Sequence, residues 1–396
     1  MATFLLLIIY LAFISLGLPD SMLGVAWPIM QVDFGAPLET AGLLFMTIAS
    51  GTIISSLLSG KILKRFGTGK VAFVSTLMTA LALLGFAFSP SVTWLFLFAI
   101  PLGLGAGAID AGLNDYVAVH YKAHHMSWLH SFWGVGATLG PVIMAYTISG
   151  QNSWSNGYLI IAGIQFLLVL ILLFSLPLWN RNKQNIEASS QQEIEDTTAD
   201  EYAIVKPLQV RGVKWALTVF LFYCGIEATV GLWGSSYLVQ VRDLPAEVAA
   251  QFVSMYYGGI TVGRFITGFI TFKVSNRTLI LSGQLLAFIG AILLFLPLPT
   301  TLLLVGFVLV GLGLAPIFPC MIHLTPIRFG KTHSQTIMGY QMAVAYTGTT
   351  FLPPLLGFIA SYSTIGIFPV FVVLMVAAML ISSETLVNLL KTKKYA

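Results

Sequence analysis

Gly17-Leu18-Pro19-Asp20-Ser21-Met22-Leu23-Gly24 sets one carboxylate in the middle of a long apolar run, with a glycine one helical turn later. The pattern returns in Gly225-Ile226-Glu227-Ala228-Thr229-Val230-Gly231. Other landmarks recur at nearly the same offset. Gly60-Lys61 through Arg65 is answered by Gly268 through Lys273, and Gly103-Leu104-Gly105 by Gly311-Leu312-Gly313. Gly136 and Pro141 are answered by Gly348 and Pro353. The chain is therefore two similar halves in tandem.

Composition says what kind of halves they are. Hydrophobic residues make up 57% and charged residues 9%, with a mean hydropathy of +0.89. Soluble domains carry roughly 25% charged residues, so this is an integral membrane protein. Twelve apolar runs reach or approach the ~20 residues a spanning helix needs: 4–31, 40–60, 70–89, 91–119, 127–149, 157–178, 213–240, 247–272, 278–297, 300–326, 334–360 and 364–389. The expected fold is all-α: twelve transmembrane helices in two pseudo-symmetric six-helix bundles, 1–178 and 212–396. The polar, acidic stretch 179–211 joins them as a linker that cannot bury a core.

Lys61, Lys64, Arg65, Lys70, Lys122, Arg181, Lys214, Arg277 and Arg328 fall on one side of this arrangement, and Arg242 falls opposite. An excess of basic residues marks cytoplasmic loops, which places both termini in the cytoplasm; the membrane expected is the plasma membrane. The net charge of +4 then reports topology and calls for no nucleic-acid partner. Cys224 and Cys320 lie within spans and read as small apolar residues. There is no Walker-A loop, nucleophile elbow or His-Glu-x-x-His. No enzyme, cofactor or metal site is expected. His124-His125 reads as a solvated loop pair.

Asp20, Asp110, Glu227 and Arg264 are the ionisable residues deepest in the spans. A charge at a helix centre costs roughly 2.5–3.5 kcal/mol on insertion scales, so it meets a partner or a wet cavity. Asp20, Gly24 and Trp27 share one helix face, as do Asp110 and Asn114. Asp115 points elsewhere. His130 and Trp133 are neighbours on the fifth span. Tyr340, Gln341 and Tyr346 occupy the related region of the eleventh span, and Gln284 lies in the ninth. Amides, phenols and indoles suit a neutral, hydroxyl-rich ligand, and one buried arginine is too few for a phosphate or a dicarboxylate. Arg264 can pair with Asp110 across the halves or with Glu227 within one; the sequence leaves both open.

Two membrane-embedded repeats are the plan of a secondary transporter, with its site between the halves near mid-bilayer. An acid that is neutral when occluded and ionised when wetted gives proton coupling a route, and Asp20, Asp110 and Glu227 are the candidates, in that order. Asp110, Asn114, Trp27, His130, Trp133 and Gln341 are the candidate solute contacts, and Arg264 the charge partner or gate. The partners expected are a small solute, a coupling ion (a proton, with sodium as the alternative) and the bilayer.

These features resemble the major facilitator superfamily. Its loop signature is matched by Gly60, Arg65 and Gly67, with Lys64 standing where the family has an acid. Within it, the chain is similar to fucose permease-like sugar transporters, through Asp20, through Asp110 and Asn114 after Gly103, Gly105 and Gly107, and through Gly313-Leu314-Ala315-Pro316-Ile317-Phe318-Pro319. That resemblance implies symport of a monosaccharide, with Asp20 and Asp110 serving the proton and the sugar. A rival signal, Gly136-Ala137-Thr138-Leu139-Gly140-Pro141, half-matches a motif of drug–proton antiporters, so efflux of amphipathic compounds is the alternative. Flipping of a lipid-linked substrate and a non-transporting sensor are further readings.

Overall fold

The computed structural model describes residues 2–121, 123–149, 153–189, 207–271 and 273–391. Among these there is no strand. The first half holds α1 (Ala2–Asp20), α2 (Met22–Phe34), α3 (Thr40–Phe66), α4 (Thr68–Ala87), α5 (Val92–His120), α6 (Ala123–Ile148) and α7 (Trp154–Ser189). The second holds α8 (Val213–Arg242), α9 (Ala246–Ile270), α10 (Asn276–Phe295), α11 (Thr300–Leu314), α12 (Ile317–Phe329), α13 (Lys331–Ser361) and α14 (Phe368–Lys391). The pairs α1–α2 and α11–α12 each make one span, Phe4–Phe34 and Thr300–Phe329.

Among the described residues, eleven spans are long and apolar enough to cross a membrane by composition. The twelfth, α9, has 25 residues, about 37 Å of helix. It falls short in hydropathy because it carries Arg264 among tyrosines, glycines and threonines, the groups it turns toward its neighbours. The helix α7 continues to Ser189, beyond the expected end at 178. The linker stretch 190–206 lies outside the described residues.

Proline breaks the first span. Pro19 has no N–H to give the Ser15 carbonyl four residues back. Gln165 of α7 takes that place, donating its Nε2 to the Ser15 oxygen at 3.0 Å. Thr79 of α4 donates in turn to Gln165 Oε1. The break is therefore held by two outer helices through a buried amide. In the second half the fourth span breaks at Ala315–Pro316, while α8 runs unbroken past Glu227.

Both halves pack alike. The contact of α1 with α6 is repeated by α8 with α13, that of α3 with α5 by α9 with α11, and that of α4 with α7 by α10 with α14. The matched glycines make matched contacts. A Cβ on Gly103 would meet the Ile48 carbonyl oxygen, and one on Gly311 the Tyr256 carbonyl oxygen. In lipid, close backbone approach of this kind replaces hydrophobic force as the cause of helix association. The turn between α3 and α4 rests on Gly67 at φ 79°, ψ 153°, a conformation essentially confined to glycine.

The halves meet along α2–α8, α3–α13 and α6–α9. Call the face carrying both chain ends terminal and the opposite one distal. The seam is shut toward the distal face. A Cβ on Gly24 would strike the Gly231 carbonyl and Leu232, and one on Gly42 would strike Pro354. Gln240 donates to Gln31 at 2.9 Å, and Ser254 to the Thr138 carbonyl at 2.9 Å. Toward the terminal face the halves part: Asp20 and Asp115 are exposed, and Asp110, Asn114, His130 and Trp133 are partly so.

Candidate functional site

The site begins where α1 ends. The break after Pro19 turns Asp20 out of the first span and into the gap between the halves. Its Oδ2 accepts a hydrogen bond from Trp133 Nε1 of α6 at 2.7 Å. The same indole carries the Arg264 guanidinium of α9 over its ring, 5.3 Å from the centroid. Tyr257 stands edge-on to it, with ring centroids 6.4 Å apart. Residues from α1, α6 and α9, and so from both halves, meet on one tryptophan.

Arg264 turns its other side to α8. Its Nη2 lies 3.4 Å from Glu227 Oε1, with the two side chains 15% and 16% exposed, and 3.2 Å from the Tyr223 hydroxyl. Tyr256 donates to the Glu227 backbone carbonyl at 3.2 Å. Of the two pairings left open by the sequence, Glu227–Arg264 within the second half is the one formed. The guanidinium is thereby matched in charge, while Asp20 is held by a neutral donor.

Asp110 sits on the same side of the seam. Asn114 Nδ2 reaches Asp110 Oδ1 at 3.0 Å, so the face they share on α5 carries a direct bond. Tyr346 of α13 approaches from the second half, within electrostatic reach of Asp110. His130 packs edge-on against Phe13, centroids 5.9 Å apart, on the terminal side of Trp133.

Two expected solute contacts lie elsewhere in this conformation. Trp27 is fully buried in the distal seam, with its Nε1 unpartnered. Gln341 is fully buried and accepts from Thr325 at 3.0 Å. Gln284 is likewise closed off. His125 is not a solvated loop residue: it lies in the first turn of α6 and bonds the Tyr10 hydroxyl at 2.7 Å. The side chain of His124 lies outside the described residues. Tyr223 and Tyr257 belong to the site without having been singled out. Tyr223 precedes Glu227 by one turn on the same face, a signal available in the sequence; Tyr257 is placed only by the packing of α6 on α9.

A family model described as Major Facilitator Superfamily matches residues 9–353, and the chain belongs to that superfamily. It is a multi-pass membrane transporter and not an enzyme. It is 23% identical over 374 residues to the glucose/mannose transporter GlcP of Bacillus subtilis, covering 93% of this chain and 92% of that one. It is 22% identical over 276 residues to the Bypass of stop codon protein 6 of Saccharomyces cerevisiae, covering 65% of this chain and 55% of that longer protein. The solved structure of a D-xylose-proton symporter superposes with a TM-score of 0.74 at 16% identity, over 95% of this chain and 96% of that one.

Proposed function

We propose that the protein is a proton-coupled symporter of a neutral, hydroxylated solute such as a monosaccharide, working by alternating access. The observation that carries this is the exposed Asp20 carboxylate, set at a helix break and hydrogen-bonded by an indole instead of a cation. A buried or occluded charge without a counter-ion is costly, so Asp20 is the group in the site best suited to gain a proton as the gap closes. Arg264 is already met by Glu227, which argues against an anionic solute. The Asp110–Asn114 pair, with His130 nearby, offers acceptors and donors for hydroxyl groups. The likeness to a glucose/mannose transporter over nearly the whole chain supports a sugar.

On this reading the terminal face is cytoplasmic, in keeping with its basic residues, and the conformation is open inward. The site lies in the plasma membrane between the halves, and Trp27 becomes a solute contact when the distal seam opens.

The test is uptake of a labelled monosaccharide panel into proteoliposomes, with pH and sodium gradients imposed separately. Saturable accumulation of one sugar under the pH gradient is expected, and Asp20→Asn should abolish it while leaving counterflow exchange partly intact. Sugar accumulation driven by sodium alone would replace the proton. Proton-driven loading of a lipophilic dye, with no sugar accumulated, would favour an exporter.

A further inference from the structure

The geometry points to Trp133 as the positioning residue through which the protonation state of Asp20 is communicated to the Glu227–Arg264 pair of the other half. Trp133 has so far stood as a platform for solute. Its ring is otherwise engaged. The Nε1 edge is taken by Asp20, one face by Arg264, and Tyr257 abuts it edge-on.

The three contacts do not respond alike to a proton. A hydrogen bond from N–H to a carboxylate is about twice as strong as one between neutral groups, and a donor–acceptor distance of about 2.7–2.9 Å is typical of it when charge-assisted. The 2.7 Å separation falls in that range. A proton on Asp20 removes the charge and weakens the hold on Nε1. The indole is then free to turn, and the position of its face governs how Arg264 is seated. Arg264 in turn holds Glu227 and Tyr223. One side chain thus joins the broken first span to α8 and α9. The groups around Asp20 are Trp133 from α6, Tyr257 and, across the indole, Arg264 from α9, and the carboxylates of Asp110 from α5 and Glu227 from α8. Arg264 pairs with Glu227 and meets Asp20 through the indole, which is the hydrogen-bond partner of the carboxylate.

This inference rests on Asp20 being the coupling acid, and its test separates the two. Tryptophan emission of the purified full-length protein is titrated with acid, and the Trp133 signal is taken as the difference from Trp133→Phe, or from Trp133→Tyr should the first fail to fold. The signal is expected to change with pH in the native protein. Asp20→Asn should abolish that change, and Arg264→Gln should shift its midpoint by at least about half a pH unit. A Trp133 signal that is flat, or that survives Asp20→Asn, overturns the proposal, as does an unmoved midpoint in Arg264→Gln. These readouts need no solute, and a structural role alone would not move them. If proton-driven sugar accumulation survives Asp20→Asn, the coupling assignment itself falls; if accumulation is lost but the emission results fail, only the role of Trp133 falls.

Discussion

At the scale of the residue, the site is a set of unequal acids. Asp20 faces water and a neutral donor, Asp110 faces an amide, and Glu227 faces a guanidinium. Removing one member of a mostly buried ion pair strands the other, at a cost of about 3 kcal/mol. Glu227→Gln should therefore lower the melting temperature of the detergent-solubilised protein clearly, and adding Arg264→Met should recover part of the loss. Asp110 and Glu227 were legible as functional candidates because an acid inside an apolar run has few innocent explanations. Their partners were not. Asp20 and Trp133 lie 113 residues apart, and helical periodicity gives a side chain's depth and face without saying which neighbour that face meets.

At the scale of the element, hydropathy located the spans but not their breaks. Pro19 announces a weak point in the first span, yet the partner of the freed Ser15 carbonyl is an amide on α7, far along the chain. An unmatched buried polar group costs about 1–3 kcal/mol, whereas removing both partners can be nearly neutral. Gln165→Leu should then destabilise by that order by stranding the Ser15 carbonyl, as read from thermal unfolding, while Thr79 keeps the Thr76 carbonyl as acceptor. The half-match to an antiporter motif also has a concrete explanation here. Gly136 and Gly140 receive the Ile14 and Leu18 carbonyls of α1, so the motif's glycines serve the packing of α1 on α6, which any carrier built this way requires.

At the scale of the whole molecule, the repeat was the most legible feature, since glycines matched along the sequence are matched in their contacts. What could not be read was the state of the seam. The sequence spacing sets Trp27 on the face of Asp20, yet it is sealed on α2 while Asp20 at the end of α1 is wet, because the halves close between them at Gly24. A larger side chain there has nowhere to go. Gly24→Leu should prevent distal closure, and a short bifunctional maleimide joining Gln31→Cys to Gln240→Cys should cross-link the otherwise native protein efficiently and the Gly24→Leu variant at least about tenfold less, if closure costs 1.4 kcal/mol or more.

The two halves share a plan but break it in different places: the first at its opening span, beside Asp20, the second at its fourth, at Pro316, with α8 left straight. A duplicated chain has thus acquired one broken opening span and one unbroken one. The carboxylate held by a neutral donor sits at the broken span, and the Glu227–Arg264 pair sits in the half whose opening span is unbroken. Exchanging the two break positions between the halves would leave the symmetry of the fold untouched and move the break away from Asp20.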